Sequence, residues 1–200
     1  QLARDPERLK LGGERRTLSI LFCDVRGFTT IAERMKSDPE ALTRLINRLL
    51  NPLSAVVIAH GGTIDKYIGD ALMAFWNAPL DVPDHAARAL AAGRRMIGAV
   101  AALNSEFADE GIAPLAIGIG INTGSCIVGN MGSGARFDYS AIGDAVNLAA
   151  RLEGMTKDLG VPLLAGEATA TALGPGGGLR ALGEARVRGR ATPTRIFTLE

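Results

Sequence analysis

The stretch TLSILFCDV, residues 17–25, is a short apolar run rich in residues that suit a buried strand, and it carries a carboxylate, Asp24, at its far end. Such a strand needs partners. GFTTIAERM opens a helical pattern directly after it. SDPEALTRLINRLLNPLSAVVIAH then offers Asp38 as an N-cap and Pro39 as the first helical residue, with Leu42, Leu45, Ile46, Leu49 and Leu53 on one face. Pro52 is expected to kink this helix and Gly61 to end it. TIDKYIGDALMAFW, 63–76, reads as a hairpin turning at Gly69 and Asp70. A helix follows from Val82 to about Glu110. PLAIGIGINTGSCIVGNM reads as a second hairpin turning at 122–124, DAVNLAARLEGMTKDLG as a helix closed by Gly160, and VPLLAG, LRALGEARVRG and TPTRIFTLE as closing strands. The order predicts an α+β fold: a ferredoxin-like βαββαβ core with additional strands, its mostly antiparallel sheet covered by helices.

The 200 residues are 47% hydrophobic and 22% charged, which suits one domain with a full-sized core. Net charge is +1, so no global field points to nucleic acid, and any anion site must be local. Cys23 and Cys126 lie far apart with no CxxC or Cys/His spacing, which predicts reduced core residues rather than a disulfide or zinc site. No stretch is long and apolar enough to span a membrane, and no signal-peptide pattern is present, so a cytoplasmic domain is expected. Residues 1–14 read as a polar linker from a longer protein and 15–200 as the domain.

Two glycine patterns mislead. GIGINTG lies within a predicted hairpin rather than between a strand and a helix, which argues against a dinucleotide site. GNMGSGAR has Ala135 and Arg136 where a P-loop needs Lys and Ser or Thr. FCDVRGFTT is more informative. Asp24 ends a strand, and Gly27, Phe28 and Thr29 open a helix whose free N–H groups can receive phosphate. With Asp70 it would supply two hard oxygen ligands suited to magnesium or manganese. Asn147 and Arg151, four apart, share a helix face that is not needed for the apolar stripe. Arg136, Arg188 and Arg190 are further candidates for phosphate charge. His60 and His85 are given no catalytic role.

FCDVRGFT, IDKYIGDALMAFW and YSAIGDAVNLAARLE, in this order and spacing, resemble the catalytic domain of class III adenylate and guanylate cyclases, from about Arg15 to Glu200. The resemblance implies a head-to-tail homodimer with ATP sites at its interface and an upstream regulatory or sensor domain. It implies that Asp24 and Asp70, with the Val25 carbonyl, hold two Mg²⁺ or Mn²⁺ ions per site. Asn147 would orient the ribose, and Arg151 would stabilise phosphoryl charge in the transition state. Arg188 or Arg190 matches a basic residue at the triphosphate. Lys66 matches the base-reading lysine of adenylate cyclases, where guanylate cyclases usually carry Glu. Its partner position holds Ser140, where many relatives have Asp. The implied reaction is conversion of ATP to 3′,5′-cyclic AMP and pyrophosphate; a guanylate cyclase and a non-catalytic nucleotide-binding or dimerisation module are the alternatives.

Overall fold

The computed structural model describes residues 12–133, 137–189 and 192–200. Strand β1 (Gly12–Val25) begins before the expected 17–25 run, so the last three residues of the expected linker are already strand. Helix α1 (Phe28–Arg34) follows a left-handed Gly27. Helix α2 (Pro39–Ala59) starts as the sequence predicts: the Asp38 carboxylate accepts the Ala41 N–H at 2.8 Å, and Pro39 occupies a position where no N–H is needed. It continues on both sides of Pro52, and Gly61 in the left-handed region follows its end.

Strands β2 (Thr63–Ile68) and β3 (Ala71–Trp76) form the expected hairpin, with Gly69 left-handed at the turn. Helix α3 (His85–Asp109) leads to β4 (Ile117–Gly132), and β5 (Phe137–Ile142) pairs back on it. Helix α4 (Asp144–Asp158), β6 (Leu163–Gly166), α5 (Glu167–Leu173), β7 (Leu179–Ala185) and β8 (Thr194–Leu199) complete the described chain. The sheet order is β2-β3-β1-β4-β6-β8-β7, antiparallel except where β6 runs parallel to β4. Its first four members, β2-β3-β1-β4, are the expected βαββαβ core.

Helices cover both faces. On one, α2 and α3 bury Leu49, Leu53, Val57, Met96 and Phe107 against Leu21, Cys23, Ile119 and Ile121. On the other, α4 lays Ala145, Val146 and Ala149 over Leu18, Ile20, Cys126 and Val128. Alternate β1 residues enter the two layers, which is why its sequence is apolar almost without interruption. Cys23 and Cys126 are buried and free, as expected.

The second predicted hairpin is corrected. Residues 117–132 are one strand, paired with β1 from Val25↔Ile117 to Gly12↔Asn130 without a break at 122–124. Its glycines serve packing instead of turning. A Cβ on Gly120 would lie 2.2 Å from the Ala149 carbonyl oxygen and 2.3 Å from the Glu153 nitrogen, and one on Gly124 would lie 2.8 Å from the Ala145 Cβ. These bare positions let α4 rest directly on the strand. The β4–β5 arm then curls over the sheet: Tyr139 and Ala141 pack with Met73 and Phe75, and the Phe75 and Tyr139 ring centroids are 6.1 Å apart.

Gly120→Ala should therefore cost at least about 3 kcal/mol or prevent folding, because backbone must move to admit the methyl group. Gly98→Ala, in an α3 position where a Cβ meets nothing within 4 Å, should stabilise by roughly 0.5–1 kcal/mol. Urea unfolding of the two variants measures both values.

Candidate active site

Strand pairing builds the first half of the site. Cys23 lies opposite Leu72, so the end of β1 and the β2–β3 turn arrive together and bring Asp24 beside Asp70. Asp24 Oδ1 accepts the N–H of Val25 at 2.9 Å. Asp24, Val25, Gly27, Phe28 and Thr29 line one open cavity of about 400 Å³ with Asp70. Two carboxylates this close repel. Asp70 is raised from 3.8 to about 6, first by burial and then by its hydrogen bond and charge interaction with Asp24.

Glu153, on the α4 wall of the same cavity, was not singled out in the sequence. Burial raises it from 4.5 to about 7; Asp24 adds to the shift, Arg26 opposes it, and Asp70 adds again. Only one signal pointed to it: an acidic residue two places after Arg151 on a helix that faces the sheet. Arg26 donates to the carbonyls of Thr156, at 3.3 Å, and Val161, fixing its guanidinium at this end of α4. Among the described residues no three His, Cys, Asp or Glu side chains close around a single metal position. Asp24 and Asp70 nevertheless fit a hard divalent cation, because their mutual repulsion is what such an ion relieves.

The second half lies elsewhere on the chain. Lys66 Nζ donates to Ser140 Oγ at 3.2 Å, so the two residues expected to read a base are already in contact. The sequence reading missed the residue between them. Asp65, whose side chain is 0% exposed, accepts from Ser140 Oγ at 2.8 Å and from the Ala141 N–H at 3.2 Å. Its other oxygen lies 3.1 Å from Lys66 Nζ as an ion pair without hydrogen-bond alignment.

Asn147 is exposed on α4 and Arg151 half-buried one turn later, with its guanidinium against Gly189, so α4 presents both on the face that passes the VRGR loop. Arg188 is exposed in that loop. Arg136 and Arg190 lie outside the described residues. None of Lys66, Ser140, Asn147, Arg151 or Arg188 lines the cavity that holds Asp24 and Asp70. The expected residues thus form three sets: the carboxylate end, the Lys66–Ser140 pair, and Asn147, Arg151 and Arg188 beside α4.

This helix-covered, mostly antiparallel sheet is the fold of the nucleotide cyclase catalytic domain. The chain belongs to the family described as the adenylate and guanylate cyclase catalytic domain, which matches residues 13–200. It is 36% identical over 183 residues to adenylate cyclase 1 of Rhizobium meliloti (strain 1021), covering 92% of this chain and 27% of that protein. It is 38% identical over 164 residues to an adenylate cyclase of Anabaena cylindrica, covering 79% of this chain and 31% of that one. The chain therefore spans about a third or less of these curated relatives. Among solved structures, the adenylyl cyclase CyaB of P. aeruginosa superposes with a TM-score of 0.85 at 35% identity, covering 95% of this chain and 96% of that one. The guanylyl cyclase Cya2 does so with 0.85 at 34%, covering 94% of each. Overall similarity therefore leaves the choice of purine to individual side chains. Among the described residues no helix is long and apolar enough to cross a membrane.

The raised carboxylates give the metal-free domain a specific pH response. Both bind protons more tightly folded than unfolded, so their contribution to stability is full below their ordinary values and is lost as pH rises through about 6 and 7. His85, lowered by burial, acts in the opposite sense over part of this range. The comparison of wild type with Glu153→Gln isolates the carboxylate. In EDTA, the melting temperature of the variant should gain on that of wild type as pH rises from 5 to 8, whereas a constant difference would contradict the assignment.

Proposed function

We propose that this domain is an adenylate cyclase, converting ATP to 3′,5′-cyclic AMP and pyrophosphate at sites shared by two copies of the chain. The observation that carries the reading is the contact between Lys66 Nζ and Ser140 Oγ. An ammonium is a donor only and serves adenine N1; guanine N1–H and N2–H₂ call for an acceptor in that place. Guanylate cyclase is the second reading, because the solved guanylyl cyclase Cya2 is as similar overall as CyaB.

Asp24 and Asp70, with the Val25 carbonyl, would hold two Mg²⁺ or Mn²⁺ ions. Bound there, such ions supply charge neutralisation at the triphosphate and acidify the ribose 3′-hydroxyl. The 3′-oxygen attacks the α-phosphorus in line; the O3′–P bond forms, the bond to the β-phosphate oxygen breaks, and pyrophosphate leaves with that oxygen. The 3′-hydroxyl proton is lost to solvent or to a base. Arg151 would stabilise charge on the phosphoryl oxygens through a planar fork of donors, and Asn147 would hold the ribose. Gly27, Phe28 and Thr29 line the same cavity as the carboxylates, and their N–H groups would receive phosphate oxygens. Arg188, and in the same role Arg136 and Arg190, would meet further triphosphate charge.

The separation of the carboxylate end from the Lys66–Ser140 pair supports a shared site, in which one protomer supplies Asp24 and Asp70 and its partner Lys66 and Ser140. Tyr67, Ile68, Ile127, Phe137 and Ile142, on β2, β4 and β5 around the Lys–Ser pair, are large exposed apolar side chains and would provide the surface for this association. An upstream regulatory domain, and a cytoplasmic position for the catalytic domain, complete the proposal.

Purified domain incubated with ATP or GTP and Mn²⁺ or Mg²⁺ should yield cyclic AMP in preference to cyclic GMP; no cyclic product from either would refute both cyclase readings. Asp24→Ala and Lys66→Ala should each be inactive. Mixed one to one, they should recover about a quarter of wild-type activity, since half the dimers are mixed and each rebuilds one of two sites. Recovery of none would refute the shared site.

A further inference from the structure

We infer that Asp65 is a specificity-determining positioning residue, which fixes the Ser140 hydroxyl as a hydrogen-bond acceptor and so makes the Lys66–Ser140 pair selective for adenine. The inference rests on the base-reading role proposed above for that pair.

A serine opposite a purine is ambiguous. Its hydroxyl can accept from the adenine 6-amino group or donate to the guanine 6-oxygen, whereas a carboxylate can only accept. Serine alone therefore discriminates poorly. In this chain the ambiguity is removed by its neighbours. Ser140 is 5% exposed, so water is largely excluded as a partner for its proton. Lys66 Nζ, 3.2 Å away, is a donor only and must meet a lone pair. Asp65 Oδ2, 2.8 Å away, is the acceptor to which the proton goes. The remaining lone pair of Oγ then presents to the base the same polarity that an aspartate at this position would present. The 6-oxygen of guanine would meet it acceptor to acceptor.

The backbone shows why Asp65 can do this. On a regular strand, adjacent side chains point to opposite faces, so Asp65 and Lys66 would not both reach one hydroxyl. The β2–β3 register shifts between Ile64 and Lys66, leaving Asp65 without a cross-strand partner. This bulge lets consecutive residues converge on Ser140. The curl of the β4–β5 arm brings Ser140 to them, and the Ala141 N–H, donating to the same Asp65 oxygen at 3.2 Å, holds the arm in place. Asp65 is buried on account of these contacts, and they use it only as an acceptor.

The test is the ratio of ATP to GTP preference, read both as kcat/KM and as the competition of each nucleotide against a fluorescent ATP analogue. Asp65→Ala and Ser140→Ala should each shrink both ratios by about tenfold, the value of one oriented hydrogen bond. Alanine is the informative change, because an asparagine oxygen would still accept the Ser140 proton. In the Ser140→Ala background, adding Asp65→Ala should change the ratios no further. The double variant Ser140→Asp with Asp65→Asn should restore ATP preference, since a carboxylate needs no orienting partner and the new amide can donate to it. A purely structural role for Asp65 predicts something else: Asp65→Ala weakens both nucleotides equally, leaves the ratios intact and lowers the melting temperature. That outcome overturns the inference, as does a double variant no more selective than Asp65→Ala alone. If wild type itself binds GTP as well as ATP, the base-reading assignment fails instead. The binding measurement keeps the two failures apart even if turnover is absent.

Discussion

The antiparallel ladder between β1 and β4 is the constraint on which the other elements depend. It runs the whole length of β1, from Gly12↔Asn130 to Val25↔Ile117. At one end it places Asp24 at the margin of the sheet, where the β2–β3 turn can meet it. At the other it leaves β4 long enough to receive β5 alongside its second half while β6 takes the first. A single uninterrupted pairing therefore determines where the carboxylate end lies and from where the arm that carries Ser140 departs.

That ladder also explains how much of the molecule can be read from sequence. Strand β1, the capped start of α2, the β2–β3 hairpin and α4 follow from local signals: an apolar run, an Asp-Pro start, a Gly-Asp turn, an apolar stripe. The pairing of Asp24 with Asp70 was legible because both fall at strand ends, where chain reversal brings carboxylates together. Strand β4 was misread because its glycines imitate a turn. Their actual cause, the backbone of α4 resting on Gly120, involves Ala149 and Glu153, far along the chain, and leaves no local trace.

The residues missed at the site failed to show for the same kind of reason. Glu153 looks like any polar residue on an amphipathic helix; only the approach of α4 to the end of β1 turns it toward Asp24. Asp65 precedes a lysine that drew attention to itself, and simple strand alternation assigns the two to opposite faces. A bulge is a disagreement between two strands and is invisible in either one alone.

The hairpin 63–76 combines these threads. Its turn delivers Asp70 to the carboxylate end, while its stem, through the bulge at Asp65, delivers Lys66 to Ser140 on the curled arm. Both ends belong to one short hairpin, β2 paired with β3 and β3 with β1, so neither end can shift without moving the other. The buried charge at Asp65 would ordinarily be a cost to the fold, since a carboxylate away from water must be matched by donors. Here the donors are Ser140, Ala141 and, as an ion pair, Lys66, and two of the three are the residues that would face the base. The charge that holds the arm against the hairpin is thus the charge that, in the proposed base-reading role, would set the polarity of the pocket. Folding of the arm and selection of the nucleotide would then draw on the same hydrogen bonds.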